Sequence, residues 1–277
     1  MAVVTITRQV AALGDEIATA LAKQLGYVFI DRHQIEARIT ELGFPEKKLP
    51  KYDERKPGFF ASMAKDRDEY LYYLQYAILE AARNSNCILI GRGAFAILDE
   101  LPNVVKIKFI APDDVRIERL KNDHNWTEKQ ALSRMNESSL NRRGFLKSFF
   151  NIDHEDPANY FLTLNTGLVS VDEAVKLCEL LVKTHVTPEA EEAGKKRMEN
   201  LFKAQILVNK LVFDYKTSIN FLHADVNEDG SVFTLQGVAD SQTVAENAVE
   251  IAAKIYPSAV VKSGFTIVQD FKNFNPH

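Results

Sequence analysis

The chain has 277 residues, 46% of them hydrophobic and 26% charged, with 12 Gly and 9 Pro. This globular usage excludes collagen-like, low-complexity and wholly disordered chains, and at ~150 residues per domain it leaves room for two cores. The 34 basic and 38 acidic side chains give a formal charge of −4, so no global charge draws the surface to nucleic acid or anionic lipid.

Val3-Val4-Thr5-Ile6 reads as a short buried strand, and Leu13, Ile17, Leu21 and Leu25 recur at four-residue spacing on a helix ended by Gly26. A second strand, Tyr27 to Ile30, stops at Asp31-Arg32 and gives way to a helical stretch reaching about residue 48. Residues 45–60, charged and proline-rich, read as a mobile connection. From Glu69 a helical pattern through Leu71, Leu74, Ile78 and Ala82 leads to the strand Cys87-Ile88-Leu89-Ile90, closed by Gly91-Arg92-Gly93. A strand Val104 to Ile110 precedes a helix bearing Arg116 and Arg119. Thr127 with Gln130 has capping-box spacing for a helix toward Met135, and Arg142, Arg143 and Lys147 lie on another helical stretch. Leu162 to Leu164 is a last short strand, and Ser170 with Glu173 caps a helix whose Val171, Val175, Cys178 and Val182 share a face. Strands alternating with helices predict a mostly parallel sheet whose active site lies at the strands' C-terminal ends.

The charged, apolar-poor run from Pro188 to Arg197 marks a boundary near residue 190. The expected domains are residues 1–187, a charged linker or helix 188–203, and residues 204–277. The last of these reads αββαβ: a helix at 198–213, strands Ile219 to Val226 and Val232 to Val238, a helix capped at Asp240-Ser241, and a strand Val260 to Val268. Asp229-Gly230 between the two alternating runs is a hairpin signal, because type I′ turns need positive φ. The fold class expected is therefore α/β with a parallel sheet flanked by helices, followed by a small α+β domain. Cys87 and Cys178 sit in apolar runs without disulfide or zinc spacing, the six histidines show no ligand spacing, and no metal site is expected. With no 18-residue apolar run and no signal pattern at the N-terminus, a cytoplasmic setting without a membrane span is expected.

The loop after the first strand, Thr7 to Asp15, stands where a helix N-terminus can present backbone N–H groups to phosphate. It has one glycine and no lysine, and Asp15 puts a negative charge in the first helical turn. Arginines at strand ends form a second constellation, because the guanidinium fork suits phosphate clamping. Arg32 and Arg92 follow strands, while Arg116, Arg119, Arg142 and Arg143 come from helices; Arg92 stands out because Gly91 and Gly93 flank it.

The order of ITRQVAALGDEIATALAKQLGYVFIDR, CILIGRGAFAIL, NVVKIKFIAPDDVRIERL and NYFLTLNTGLVSVDEAV resembles the cytidylate kinase-like branch of P-loop nucleoside monophosphate kinases over residues 1 to about 185. That resemblance implies a P-loop kinase-like sheet, ATP and magnesium as cofactors, and a nucleotide as the small-molecule partner. It carries cofactor binding to Arg8, Gln9, Ala12, Gly14 and Asp15, monophosphate binding to Asp31, Arg32 and Arg92, and the charge-neutralising lid role to Arg142 and Arg143, with Arg92 joining them in catalysis. Asn165-Thr166 matches the motif that closes the kinase domain. Ala11, Ala12 and Leu13 stand where the family has Gly-Ser-Gly, so their Cβ atoms are expected to obstruct phosphate. Asp15, Gly93 and Phe161 also depart from the family pattern.

The tail, about residues 204–271, resembles a BON domain in its element order and in the run Gly230 to Asp240, which implies a lipid, small-ligand or protein partner for it. Two readings stand at this point. In one, the protein is an ATP-dependent kinase acting on CMP or dCMP. In the other, a catalytically degenerate kinase fold acts as nucleotide sensor or scaffold, with the tail as its output module.

Overall fold

The computed structural model describes residues 2–52, 64–84 and 86–268. It divides into two compact units: residues 1–61 with 77–195, and residues 62–76 with 196–277. The division therefore falls at 195/196 and assigns the second unit a segment from the first half of the chain. Within that unit Tyr72 packs into the apolar cluster of Leu207, Leu211, Leu222 and Phe233.

In the first unit, strands β1 (Val3–Arg8), β2 (Val28–Ile30), β3 (Cys87–Ile90), β4 (Val104–Ile110) and β5 (Leu162–Asn165) form one parallel sheet in the order β2-β3-β1-β4-β5. β1 is central because Val3 to Thr7 are all β-branched; Val3, Val4, Thr5 and Ile6 are at most 1% exposed, as a strand covered on both faces requires. The neighbours of β1 are reached by connections in opposite directions, so the crevice past its C-terminal end is the switch point where such sheets bind ligands.

Helix α1 (Gly14–Leu25) lays Ile17, Ala18, Leu21 and Ala22 against the sheet, and Gly26 ends it at φ 69. α2 (Arg32–Glu41) follows β2, and the next helical turn is a short 3-10 piece, Glu46–Lys51. The remainder of the connection expected at 45–60 lies outside the described residues. α3 (Ala64–Asn84) leads to β3, a single turn α4 (Ala94–Ile97) follows the glycine pair, and α5 (Asp113–His124) follows β4. The two helical stretches expected after Thr127 are one helix, α6 (Glu128–Phe150), which holds no proline, carries Gly144 within it and ends where Asn151 takes a left-handed cap. Both expected capping boxes form: Gln130 N donates to Thr127 Oγ1 at 3.3 Å, and Glu173 N to Ser170 Oγ at 3.3 Å. α7 (Val171–His185) buries Ala174, Val175, Cys178 and Val182, so Cys178 is a core residue, and Cys87 is fully buried too.

α8 (Pro188–Asn209) begins where the charged run does and continues into a π-type turn, Lys210–Asp214. β6 (Ile219–Val226), β7 (Val232–Ala239), α9 (Gln242–Ile255) and β8 (Val260–Ile267) complete the αββαβ order of the second unit. β6 and β7 are antiparallel and β7 and β8 parallel. The hairpin loop spans residues 227–231, and of its residues only Gly230 has positive φ, at 78°. It is therefore not a two-residue mirror-image turn: Asn227 closes it, accepting from Gly230 N at 3.0 Å and, through Oδ1, from Val232 N at 2.9 Å. On α9 the buried face is Ala245, Ala248 and Ala252, with Val244, Ile251 and Ile255 at its flanks. No described helix is long and apolar enough to cross a membrane.

Candidate functional site

A cleft of about 490 Å³ lies at the C-terminal end of β1, lined by residues 8–16, by Asp31, Arg32 and His33, by Arg119, Leu120, Asp123 and His124 of α5, and by Arg134, Ser138 and Arg142 of α6. Its floor is the β1–α1 loop. Gln9 N donates to Phe109 O at 3.0 Å, and the Gln9 side chain accepts from Ala111 N at 3.1 Å, so Gln9 fastens the loop to the end of β4. Ala11 has φ 58 and Leu13 φ 55, left-handed conformations that a side chain disfavours and that glycine ordinarily supplies.

Ala11, Ala12 and Leu13, expected to obstruct phosphate, all line the cleft, and their side chains also pack on the cores around the loop. Ala12 is 1% exposed in the main core and Leu13 packs against that core. Val10 and Ala11 pack on a separate cluster of Leu120, Ala131 and Met135. The apolar groups are thus anchored on two clusters while still forming part of the cleft lining. α1 starts without a side-chain cap, and the N–H groups of Leu13, Gly14, Asp15 and Glu16 have no hydrogen-bond acceptor among the described residues. Unsatisfied donors at a helix N-terminus, with the positive end of its dipole, are a ready anion site.

Two contacts shape this floor. Arg8 reaches Asp15 through Nε and Nη2, both at 3.2 Å, so the negative charge in the first helical turn is paired across the loop. The stem of Arg8 crosses Gly14 so closely that a Cβ there would lie 2.6 Å from Arg8 Cβ and Cγ, which explains the one retained glycine. From the far side, Arg119 Nη1 donates to Ala11 O at 3.0 Å and Thr166 Oγ1 at 3.1 Å, its Nη2 to Thr166 O at 2.6 Å, and Thr166 Oγ1 donates to Ala12 O at 3.1 Å.

The cleft brings together Arg8, Gln9, Ala12, Gly14, Asp15, Asp31, Arg32 and Arg142 from the sequence-based set. Asp31 is also the N-cap of α2, accepting from Gln34 N at 3.0 Å in a capping box, and Arg32 pairs with Glu36 at 3.7 Å. Arg143 does not line the cleft and is exposed. Arg134, Ser138 and Arg142 repeat every fourth residue, so one face of α6 meets the cleft; that spacing was a readable signal for Arg134 and Ser138, which sequence reasoning missed. Arg119 of α5, read from sequence only as one of several helix arginines, also lines the cleft.

Arg92 is placed apart from this lining. It has φ 53 between Gly91 at φ 82 and Gly93 at φ 69, and it is 3% exposed. Its Nη1 donates to Tyr52 O at 2.7 Å, its Nη2 pairs with Glu36, and its guanidinium lies 5.9 Å from the Phe145 ring centre. Burial, with the positive charges of Arg32 and Arg8 near it, pulls the guanidinium below its ordinary pKa. Tyr52, Phe145, Phe149 and Phe150 form an aromatic cluster around it, and the neighbouring cavity measures about 20 Å³, room for about one water. Among the described residues no group of three or more His, Cys, Asp or Glu is placed to hold a metal ion.

A model of the cytidylate kinase-like family matches residues 3–168, more than half of the chain. The chain is 29% identical over 163 residues to the cytidylate kinase of Methanocaldococcus jannaschii, a match covering 56% of this chain and 84% of that protein. Among solved structures it resembles that of an uncharacterized protein from Eubacterium ventriosum, with TM-score 0.53 and 19% identity over 66% of this chain and 99% of the other, a likeness of fold. A shikimate kinase from Bacteroides thetaiotaomicron matches at TM-score 0.42 and 12% identity, over 66% of this chain and 98% of the other.

Proposed function

The chain belongs to the cytidylate kinase-like family, and from that premise we propose that it transfers the terminal phosphoryl group of ATP to a nucleoside monophosphate, with CMP or dCMP as the acceptor. Membership supports phosphoryl transfer of the kinase type; the acceptor and the roles of individual residues are our reading. The observation that supports it most is the open loop at the head of α1, whose Leu13 to Glu16 N–H groups lack acceptors among the described residues at the floor of an arginine-rich cleft.

ATP supplies the phosphoryl group when bound, and magnesium brought with it offsets phosphate charge. The loop amides and the α1 N-terminus hold the phosphates, while Arg8 pairs with Asp15 and offsets its charge. Arg142 and Arg134, on one face of α6, add positive charge opposite the loop. In this scheme the protein catalyses by positioning and by charge stabilisation, without covalent chemistry of its own. Arg32, beside Asp31 at the head of α2, is placed to meet the acceptor's phosphate.

Calorimetric titration of the full chain with Mg-ATP and with CMP, followed by a coupled ADP-release assay, tests the proposal. Binding of both with CMP-dependent ADP release is the expected result, and absence of Mg-ATP binding overturns it. A second reading, a degenerate kinase fold serving as nucleotide sensor or scaffold, is favoured by one observation: Arg92, assigned to the acceptor by resemblance, is buried on Glu36 and the Tyr52 carbonyl. Mg-ATP binding without turnover on any nucleoside monophosphate would be its signature. We assign the second unit a BON-like role in binding a lipid or protein partner, on its αββαβ order and the run Gly230 to Asp240. Flotation with vesicles of phosphatidylcholine and phosphatidylserine tests the lipid arm.

A further inference from the structure

We propose that Arg119 and Thr166 are positioning residues that clamp the β1–α1 loop from outside, holding a phosphate-accepting backbone shape that glycines would otherwise allow. The proposal deepens the phosphate-binding reading of the cleft and rests on it.

The problem the clamp solves is visible in the loop itself. Ala11 and Leu13 both take φ near +55°, two left-handed non-glycine residues within three positions. No local side chain caps the helix that follows. Within the loop Ala12 N donates to Gln9 O at 3.3 Å and so holds the Ala11–Ala12 peptide, whereas no such bond inside the loop holds the peptide between Ala12 and Leu13, whose flip would reorient the Leu13 N–H.

The restraint comes from afar. Arg119, 108 residues beyond Ala11 in sequence, donates one guanidinium nitrogen to Ala11 O at 3.0 Å. Thr166, 154 residues beyond Ala12, donates its hydroxyl to Ala12 O at 3.1 Å. The two clamp residues are tied to each other at 3.1 and 2.6 Å. Thr166 is 3% exposed and its own N–H is fixed on Ile110 O at 2.8 Å, so the anchor is part of the sheet edge. Because a trans peptide points its C=O and N–H in opposite directions, holding the carbonyls of Ala11 and Ala12 also fixes the N–H groups of Ala12 and Leu13. The Leu13 donor is one of those without an acceptor among the described residues. Apolar packing of Ala12 and Leu13 fixes the side chains, whereas the clamp fixes the peptide planes.

Thr166 is the better probe, because it is buried and does not line the cleft, whereas Arg119 does. Thr166→Val and Thr166→Ser are made in the native full-length chain, and Thr166→Val again in a chain carrying Ala11→Gly and Leu13→Gly. Each is titrated calorimetrically with Mg-ATP and with inorganic pyrophosphate, and amide exchange of the peptide covering residues 9–17 is followed without ligand. Thr166→Val in the native loop is expected to weaken Mg-ATP about tenfold and to speed exchange of that peptide. Thr166→Ser restores both, and in the glycine loop Thr166→Val changes affinity less than twofold.

Equal effects of Thr166→Val in both loops overturn the proposal, as does unchanged exchange in the native loop. If the native chain binds neither Mg-ATP nor pyrophosphate, the phosphate-binding reading fails by itself, and the clamp is still judged by whether exchange couples Thr166 to the glycine substitutions. Should Thr166→Val not fold, Arg119→Lys replaces it in the exchange experiment, since lysine keeps the charge but cannot span Ala11 O and Thr166 O together.

Discussion

Replacing Glu36 by Gln removes the carboxylate that faces Arg92 while keeping an oxygen of the same shape. Arg92 is 3% exposed and Glu36 has 17% of its side chain exposed, so the buried guanidinium would lose a charged partner that is itself largely buried. Breaking a buried ion pair on one side costs about 3–5 kcal/mol, and the amide oxygen that remains puts Glu36→Gln near the lower end, about 3 kcal/mol. For a unit of this size that corresponds to a fall of ~6–12 °C in melting temperature. Urea denaturation at pH 7, read by far-UV circular dichroism and tryptophan fluorescence, measures the loss directly, Trp126 being the sole tryptophan. The paired change Glu36→Leu with Arg92→Met removes both charges and should recover most of the stability, because an apolar replacement of a buried pair is close to neutral. A loss below about 1 kcal/mol for Glu36→Gln would refute the reasoning, since Arg92 would then not depend on its carboxylate. CMP titration of the same variant adds a functional arm. Tighter CMP binding would show that Glu36 holds back a guanidinium meant for the acceptor, while unchanged binding supports a structural Arg92.

Arg142→Ala should weaken Mg-ATP binding at least tenfold and Arg143→Ala less than twofold, because only the first lines the cleft; equal effects in calorimetry would undo that assignment. Gly14→Ala drives a Cβ to 2.6 Å from the Arg8 stem, so it should displace Arg8 from Asp15 and destabilise the chain by about 1–3 kcal/mol in urea melts. The hydrogen bond from His154, aided by Lys108, holds Glu155 at about 2, below the ordinary carboxylate value of 4.5. Its contribution is therefore complete above about pH 5 and is lost as pH falls from 4.5 toward 2. With 41% of that side chain exposed, screening limits the effect to about 1 kcal/mol, read as the difference between wild type and Glu155→Gln across that range. Burial pushes the thiols of Cys87 and Cys178 up to about 12, so neither should react with iodoacetamide at pH 8 until urea unfolds the chain.

Most of the fold was legible because its signals are local. The unbroken β-branched run at residues 3–6 specified a central strand, and the four-residue recurrence from Ile17 to Leu21 specified the buried face of α1. The capping boxes at Thr127 and Ser170 were readable for the same reason: donor and acceptor lie three residues apart. What sequence reasoning could not see depends on residues that meet only after folding. Tyr72 joins the second unit's core although more than a hundred residues separate it from Leu207. Arg92, legible as an arginine between glycines at a strand end, is claimed by Glu36 and Tyr52, and no spacing in the sequence announces that pairing.

The missing glycines of the loop have to be read together with the contacts that hold it. Glycine is the cheapest way to reach positive φ, so its loss states a cost and not a shape. Two left-handed non-glycine residues cost about 2–4 kcal/mol together, whereas a hydrogen bond from a charged donor contributes about 1.5–3 kcal/mol and a neutral one about 1 kcal/mol. The Arg119 bond to Ala11 O and the Thr166 bond to Ala12 O are thus of the size needed to offset the strain. Where glycines supply positive φ, the shape is a local property of the loop, whereas here it depends on α5 and the end of β5 as well. Substitutions at Arg119 or Thr166 should then act as loop mutations, although Thr166 does not line the cleft.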